Sequence, residues 1–177
     1  TINFPVAPKN LYDPIKYILD IGGKRMRPIL TLMAHQLFNS DIEKSLKAAV
    51  AIEIFHNFTL LHDDIMDEAP LRRGVKTVHE KWDKNSAILS GDTMLVQSFN
   101  LLMSVEDVYL REVLSTFNKA AIEVCEGQRW DIDFENKADV SIQEYLKMIE
   151  YKTSVLLAAS LKIGAINGGA TTKEANH

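Results

Sequence analysis

At 177 residues the chain is long enough for one domain with a substantial core and short for two comfortable ones. A hydrophobic share of 46% with 25% charged residues is ordinary for a soluble globular protein, and a net charge of −4 gives no global case for nucleic acid or an anionic membrane. A single cysteine, Cys125, excludes an intramolecular disulfide and fits a reducing cytoplasm.

The N-terminal segment has no basic-then-apolar signal pattern, and no run approaches the roughly 20 apolar residues that span a bilayer. Few prolines and glycines interrupt the sequence, and the stretches between them carry helical periodicity. Leu11 to Asp20 reads as a short helix closed by Gly22-Gly23, and Pro28 opens the next, to Phe38. Ser40 or Asp41 caps a long third helix from about Ile42 to Asp67, ended by Pro70 and Gly74 in a loop. Asn85 to Met103 is a fourth, broken internally only by Gly91. Asp107 to about Asp131 is a fifth, followed by an acidic surface loop to Val140. Ser141 to Asn167 is a sixth, opened by the capping-box pattern Ser141-Ile-Gln-Glu144. Gly168-Gly169-Ala-Thr then leads into the first residues of a further helix. The expectation is an all-α single domain over residues 1–177. Ala120, Ala121 and Val124 around Cys125 predict a buried structural thiol.

The third helix carries the chemistry. Glu53, His56, Asp63 and Asp67 fall on one polar stripe of a helix otherwise built from Ala, Val, Ile, Phe and Leu. Asp63 and Asp67 stand one turn apart with Asp64 beside them, and like charges at that spacing repel. A hard divalent cation removes the conflict, because Mg²⁺ is held by one or two carboxylates together with phosphate oxygens. Arg72-Arg73 just beyond offer fork-shaped donors for those phosphates. Gly22-Gly23-Lys24-Arg25-Met26-Arg27 sets cations and backbone N–H groups at a helix start, without the spacing of a nucleotide P-loop. Alone, each basic cluster reads equally as a charged surface turn, whereas the acid stripe, with no lysine or arginine in it, already favours a site. Together they read as a metal-bridged diphosphate site, and two cationic clusters suit two diphosphates. Gln128 and Asp131 end the fifth helix, and Lys152-Thr153 interrupts the apolar sixth, where a lysine most often snorkels to water. His35, His62, His79 and His177 form no metal spacing and read as structural or surface groups.

In order and spacing, Gly-Gly-Lys24-Arg-Met-Arg27-Pro, His56 before Asp63-Asp64-Ile-Met-Asp67, Arg72-Arg73-Gly, Gly91-Asp92, Gly127-Gln128-x-x-Asp131 and Lys152-Thr153 resemble the trans-isoprenyl diphosphate synthase (polyprenyl synthetase) family. The resemblance implies an isoprenoid-synthase-like helical bundle around a central cavity, usually a homodimer. It implies that Lys24, Arg27, His56 and Arg73 bind isopentenyl diphosphate. Asp63, Asp64 and Asp67 would hold Mg²⁺ against the diphosphate of an allylic substrate, helped by Arg72 and Lys152, with Gln128, Asp131 and Thr153 supporting. Phe58 and Thr59, five and four residues before Asp63, match positions that floor the product tunnel, and an aromatic beside a small residue resembles short-chain (C15 to C20) synthases.

The family carries a second Asp-Asp-x-x-Asp motif beyond its Lys-Thr helix, and here the residues after Thr153 include only one acid, Glu174. The chain therefore reads as the N-terminal portion of a synthase, with little activity expected alone. Two rivals are a non-catalytic partner or regulatory subunit, which has no need of the intact motifs, and a terpene cyclase, which needs no second diphosphate site.

Overall fold

The computed structural model describes residues 4–177, so Thr1–Asn3, the start of the segment lacking a signal pattern, lie outside the described residues. In chain order come α1 (Lys9–Asp20), α2 (Met26–Gln36), α3 (Glu43–Met66), β1 (Leu71–Arg72), β2 (Val75–Lys76), α4 (Val78–Lys81), α5 (Lys84–Leu102), α6 (Asp107–Glu135), α7 (Ile142–Ile149), a π-helical turn (Glu150–Ser154), α8 (Val155–Gly168) and α9 (Thr172–Ala175). The all-α expectation holds. No described helix is long and apolar enough to cross a membrane.

The described residues fall into two compact units, 4–25 with Val50–Leu101 and Met26–Ala49 with Leu102–His177. In the first, Ile15 and Ile18 of α1, Ile52, Phe55 and Leu61 of α3 and Met94 of α5 are all at most 2% exposed. Each such side chain contributes about 1.5–3 kcal/mol by leaving water. Polar ties fix the surrounding elements. The Ser90 hydroxyl donates to the Leu11 carbonyl (2.9 Å), Tyr17 donates to the Lys76 carbonyl (2.7 Å), and the Lys81 ammonium stands 3.6 Å above the Tyr17 ring.

In the second unit α2 lies across α8. The approach is close because Gly164 faces the Thr31 backbone, where a Cβ would come within 2.9 Å of the carbonyl carbon. The Asn167 amide donates to the Lys44 carbonyl (3.0 Å) and the Ser45 hydroxyl (2.9 Å), tying α8 to the start of α3. On α6, Val113, Phe117, Ala120, Val124 and Gly127 follow steps of four and three and form its buried face. The capping box at Ser141 forms as the sequence predicts, and a second one, Thr171 with Glu174, opens α9.

Five local expectations are corrected. Cys125 is exposed, not buried, because it lies about 100° around α6 from Val124 on the core stripe. Partial burial and, secondly, the charge of Glu126 push its thiol up from the ordinary value, which disfavours a nucleophile there. Helix α6 runs on to Glu135, so Gln128 and Asp131 stand inside it rather than at its end. The sixth helix holds a π turn at Glu150–Ser154, and α5 passes through Gly91 unbroken. The connection after α3 contains an antiparallel two-residue strand pair, Leu71 opposite Lys76 and Arg72 opposite Val75.

Candidate functional site

Helix α3 ends in carboxylates. Asp63 and Asp64 sit in its last turn with no basic residue among them, and Asp67 follows directly. A helix C-terminus is the negative pole of the backbone dipole, so acids there are doubly unfavourable until a cation answers them. The hairpin supplies one cation. Arg72 grips Asp64 with two parallel bonds, Nε to Oδ2 at 2.7 Å and Nη2 to Oδ1 at 2.8 Å, and its Nη2 stands 3.9 Å from Asp63 Oδ2. Asp64 is only 4% exposed, so this is a desolvated fork-to-fork pair rather than a loose surface contact.

Local sequence explains why Arg72 points there. Thr77 closes the hairpin back onto the end of α3, its N–H donating to the Pro70 carbonyl (3.2 Å) and its hydroxyl to the Ala69 carbonyl (2.7 Å). Arg73 and Gly74 form the two-residue turn, both with positive φ (54° and 83°) as a tight hairpin requires. Arg73 is thereby held in a conformation that costs a non-glycine residue about 1 kcal/mol or more. Its guanidinium lies against Gly23, where a Cβ would stand 2.7 Å from Nη1. Gly23 also has φ of +149°, so the turn before Lys24 is shaped for glycine twice over. The glycine-lysine turn and the double-arginine turn, far apart in sequence, thus meet within one unit.

Sequence reasoning missed what holds the basic turn. Arg25, with φ of 51°, pairs with Glu53 and also donates to the Leu19 carbonyl. Asn57 donates to the Glu53 carbonyl (2.8 Å) and to its Oε1 (3.0 Å). Glu53, read as part of the polar stripe, is therefore committed to anchoring Arg25. The only prior signal was a carboxylate amid buried apolar neighbours, which demands a partner without naming it. Lys24 is exposed and His56 is half-buried. Phe58 is 8% exposed, 5.5 Å from the Phe55 ring centroid and 4.7 Å edge-on from His62, while the Thr59 hydroxyl donates to the His56 carbonyl (2.8 Å). His62 also reaches the Ile88 carbonyl (3.3 Å), so it bridges α3 and α5.

The remaining candidates lie in the second unit. Arg27 occupies the first turn of α2, and Thr153 is exposed. Lys152, on the π turn, donates to Asp131 Oδ2 of α6, and both side chains are partly buried. It does not snorkel to open water. Gln128, on the same stretch of α6, has a buried Nε2 with no hydrogen-bond partner, an uncommon cost that a bound anion or oxygen ligand would remove.

Among the described residues no three His, Cys, Asp or Glu side chains close on a metal position. A dedicated all-protein cage is not what Mg²⁺ needs, since it keeps waters and shares phosphate oxygens with one or two carboxylates. The donors at the end of α3 are all oxygen and sit at a negative helix pole, so the donor set fits that ion.

Long helices, with strand limited among the described residues to one short hairpin, place the chain with the isoprenoid-synthase helical bundles. It belongs to the polyprenyl synthetase family, whose pattern it matches over residues 8–177. It is 46% identical to a geranylgeranyl diphosphate synthase of Methanosarcina mazei over 170 residues, 95% of this chain and 52% of that protein. It is 45% identical to a short chain isoprenyl diphosphate synthase of Methanocaldococcus jannaschii, over 93% of this chain and 50% of the relative. A crystal structure of a geranylgeranyl pyrophosphate synthase superposes with TM-score 0.95 at 50% identity, covering 98% of this chain and 53% of that one. The geranylgeranyl pyrophosphate synthetase of Pyrococcus horikoshii superposes with TM-score 0.91 at 39% identity, over 96% and 52%. The chain spans about half the length of the curated relatives it matches.

Proposed function

We propose that the chain carries diphosphate- and metal-binding machinery of a trans-prenyltransferase, which joins an allylic diphosphate to isopentenyl diphosphate and releases inorganic diphosphate. The observation that carries this reading is the end of α3. There Asp64 is committed to Arg72, while Asp63 and Asp67 stand one turn apart at the negative helix pole. All three acids, Asp63, Asp64 and Asp67, are assigned to the metal, and Asp64 also fixes the Arg72 fork. Bound Mg²⁺ would offset charge growing on the departing diphosphate. Arg72 and Lys152 add fixed donors to an allylic diphosphate, and Gln128 and Thr153 support it. Lys24, Arg27, His56 and Arg73 are assigned to isopentenyl diphosphate; the seating of Arg73 against Gly23 supports this second anion site and disfavours a cyclase. Loss of the allylic diphosphate leaves a carbocation. The alkene of the second substrate attacks it, a new carbon–carbon bond forms, and a proton passes to the released diphosphate.

Phe58, packed on Phe55 and His62, with the smaller Thr59 beside it, limits the growing chain to about C15 to C20 in this reading. We read residues 1–177 as the N-terminal portion of one polyprenyl synthetase domain, working as a homodimer in the cytoplasm. A polypeptide of these 177 residues alone, with one Asp-Asp-x-x-Asp set, is expected to show little or no prenyl transfer. The test is prenyl transfer from a short allylic diphosphate with and without Mg²⁺, on mass-verified protein with its natural partner segments present. Mg²⁺-dependent formation of C15 to C20 diphosphates is expected. Metal-independent turnover, or cyclised hydrocarbon, would contradict the reading.

A further inference from the structure

The π turn and Gly127 have no role in the account so far, and their geometry gives them one. Helix α7, the π turn and α8 present a buried stripe of Met148, Leu156, Ala159 and Ile163, and Lys152 falls on it between Met148 and Leu156. A lysine there has to find a partner or leave the stripe. The π turn, closed by the Val155 N–H donating five residues back to the Glu150 carbonyl, widens the helix where Lys152 sits. Its backbone at that point touches α6 at Gly127. A Cβ on Gly127 would lie 2.7 Å from the Tyr151 carbonyl carbon and 2.8 Å from Lys152 Cα, and backbone cannot swing aside as a side-chain tip can. Four residues on, and so on the same face of α6, Asp131 accepts from the Lys152 ammonium. The Trp130 and Tyr151 rings, with centroids 5.1 Å apart, flank the contact.

We propose that Gly127 is a positioning residue: its missing side chain lets the π turn seat on α6, which aims Lys152 at Asp131 and holds its ammonium at one fixed point. The inference deepens the diphosphate site proposed above and rests on that reading for its purpose, though the seating itself is testable without any ligand.

The experiment measures the acetic anhydride acylation rate of each lysine by mass spectrometry in the unaltered chain, Gly127→Ala, Asp131→Asn and the double variant. Lys152 is expected to react slowly in the unaltered chain, about fivefold faster in either single variant, and no faster in the double, because both changes break one seating. Lys119 and Lys137, on and just beyond α6, should keep their rates, which a general loosening of the helix would not allow. An unchanged Lys152 rate in Gly127→Ala, or multiplying effects in the double variant, overturns the proposal. Should Gly127→Ala fail to fold, Asp131→Asn decides: an unchanged Lys152 rate there overturns the proposal, and a selective rise supports it. A parallel calorimetric titration with Mg²⁺ and inorganic diphosphate separates the two claims. Lys152→Ala should weaken binding about tenfold, and Gly127→Ala should add nothing in that background. No effect of Lys152→Ala would count against its assigned role in the diphosphate site and leave the acylation result standing.

Discussion

Replacing Arg72 with alanine isolates the interaction on which the carboxylate cluster depends. The substitution strands Asp64, whose side chain is 5% exposed, beside Asp63 at the negative end of α3. Breaking one side of a fully buried ion pair costs about 3–5 kcal/mol. Because the Arg72 side chain is 21% exposed, some water reaches the pair, so we take the low end, about 3 kcal/mol. At about 3 °C per kcal/mol for a chain of this size, Tm falls by about 9 °C. The double variant Arg72→Ala, Asp64→Ala removes both charges and should recover most of the loss, ending within about 1 kcal/mol of the unaltered chain. By contrast Asp63→Ala gives up only the longer 3.9 Å contact with Arg72 while relieving repulsion at a helix C-terminus, so metal-free stability should shift by no more than about 0.5 kcal/mol. Urea unfolding followed by circular dichroism, at matched ionic strength without divalent cations, measures all three. A single variant within about 0.5 kcal/mol of wild type, which is the ordinary surface effect, would refute the buried-pair argument. A double variant no better than the single would do the same.

Further outcomes follow from other parts of the site. Gly23→Ala places a methyl against the Arg73 guanidinium at a φ of +149°, so it should cost about 1–3 kcal/mol and weaken isopentenyl diphosphate binding, read by calorimetry. Phe58→Ala should destabilise by about 3 kcal/mol, since the ring is buried against Phe55 and His62, and should lengthen the products in the transfer assay. Glu144 is held down to about 2, first by the Lys137 ammonium and then by the Ser141 capping bonds. A depressed carboxyl contributes stability above its ordinary value of 4.5 and loses it as pH falls toward 2, so the start of α7 should fray in that window. Amide exchange at Gln143 to Leu146 reads this; protection unchanged down to pH 2 would contradict it.

Periodicity made the helices legible, because long apolar stripes such as that of α6 leave few alternatives. Its limits were set by single-residue phase. Cys125 was misread because its neighbour Val124, not Cys125 itself, lies on the stripe, and one helical step is about 100°. The π turn has no sequence signature of its own, since Glu-Tyr-Lys-Thr-Ser suits an α-helix equally well. Charge clustering singled out the end of α3 and the two basic turns as candidates. It could not divide labour among the acids, because which carboxylate Arg72 grips depends on a hairpin with Arg73 in a left-handed conformation. Glu53 and Arg25 show the same limit. Each looked available for ligand, and each is consumed in holding the other.

The central claim is that Asp63, Asp64 and Asp67 hold Mg²⁺ against a diphosphate, with Asp64 also fixing Arg72. Calorimetric titration of a non-ionisable allylic diphosphate analogue, with and without Mg²⁺, into the unaltered chain and into Asp63→Asn and Asp67→Asn, tests it most directly. The account predicts binding that requires the metal and falls at least tenfold in either variant. Equal affinity without Mg²⁺, or undiminished metal-dependent binding in both variants, would contradict it.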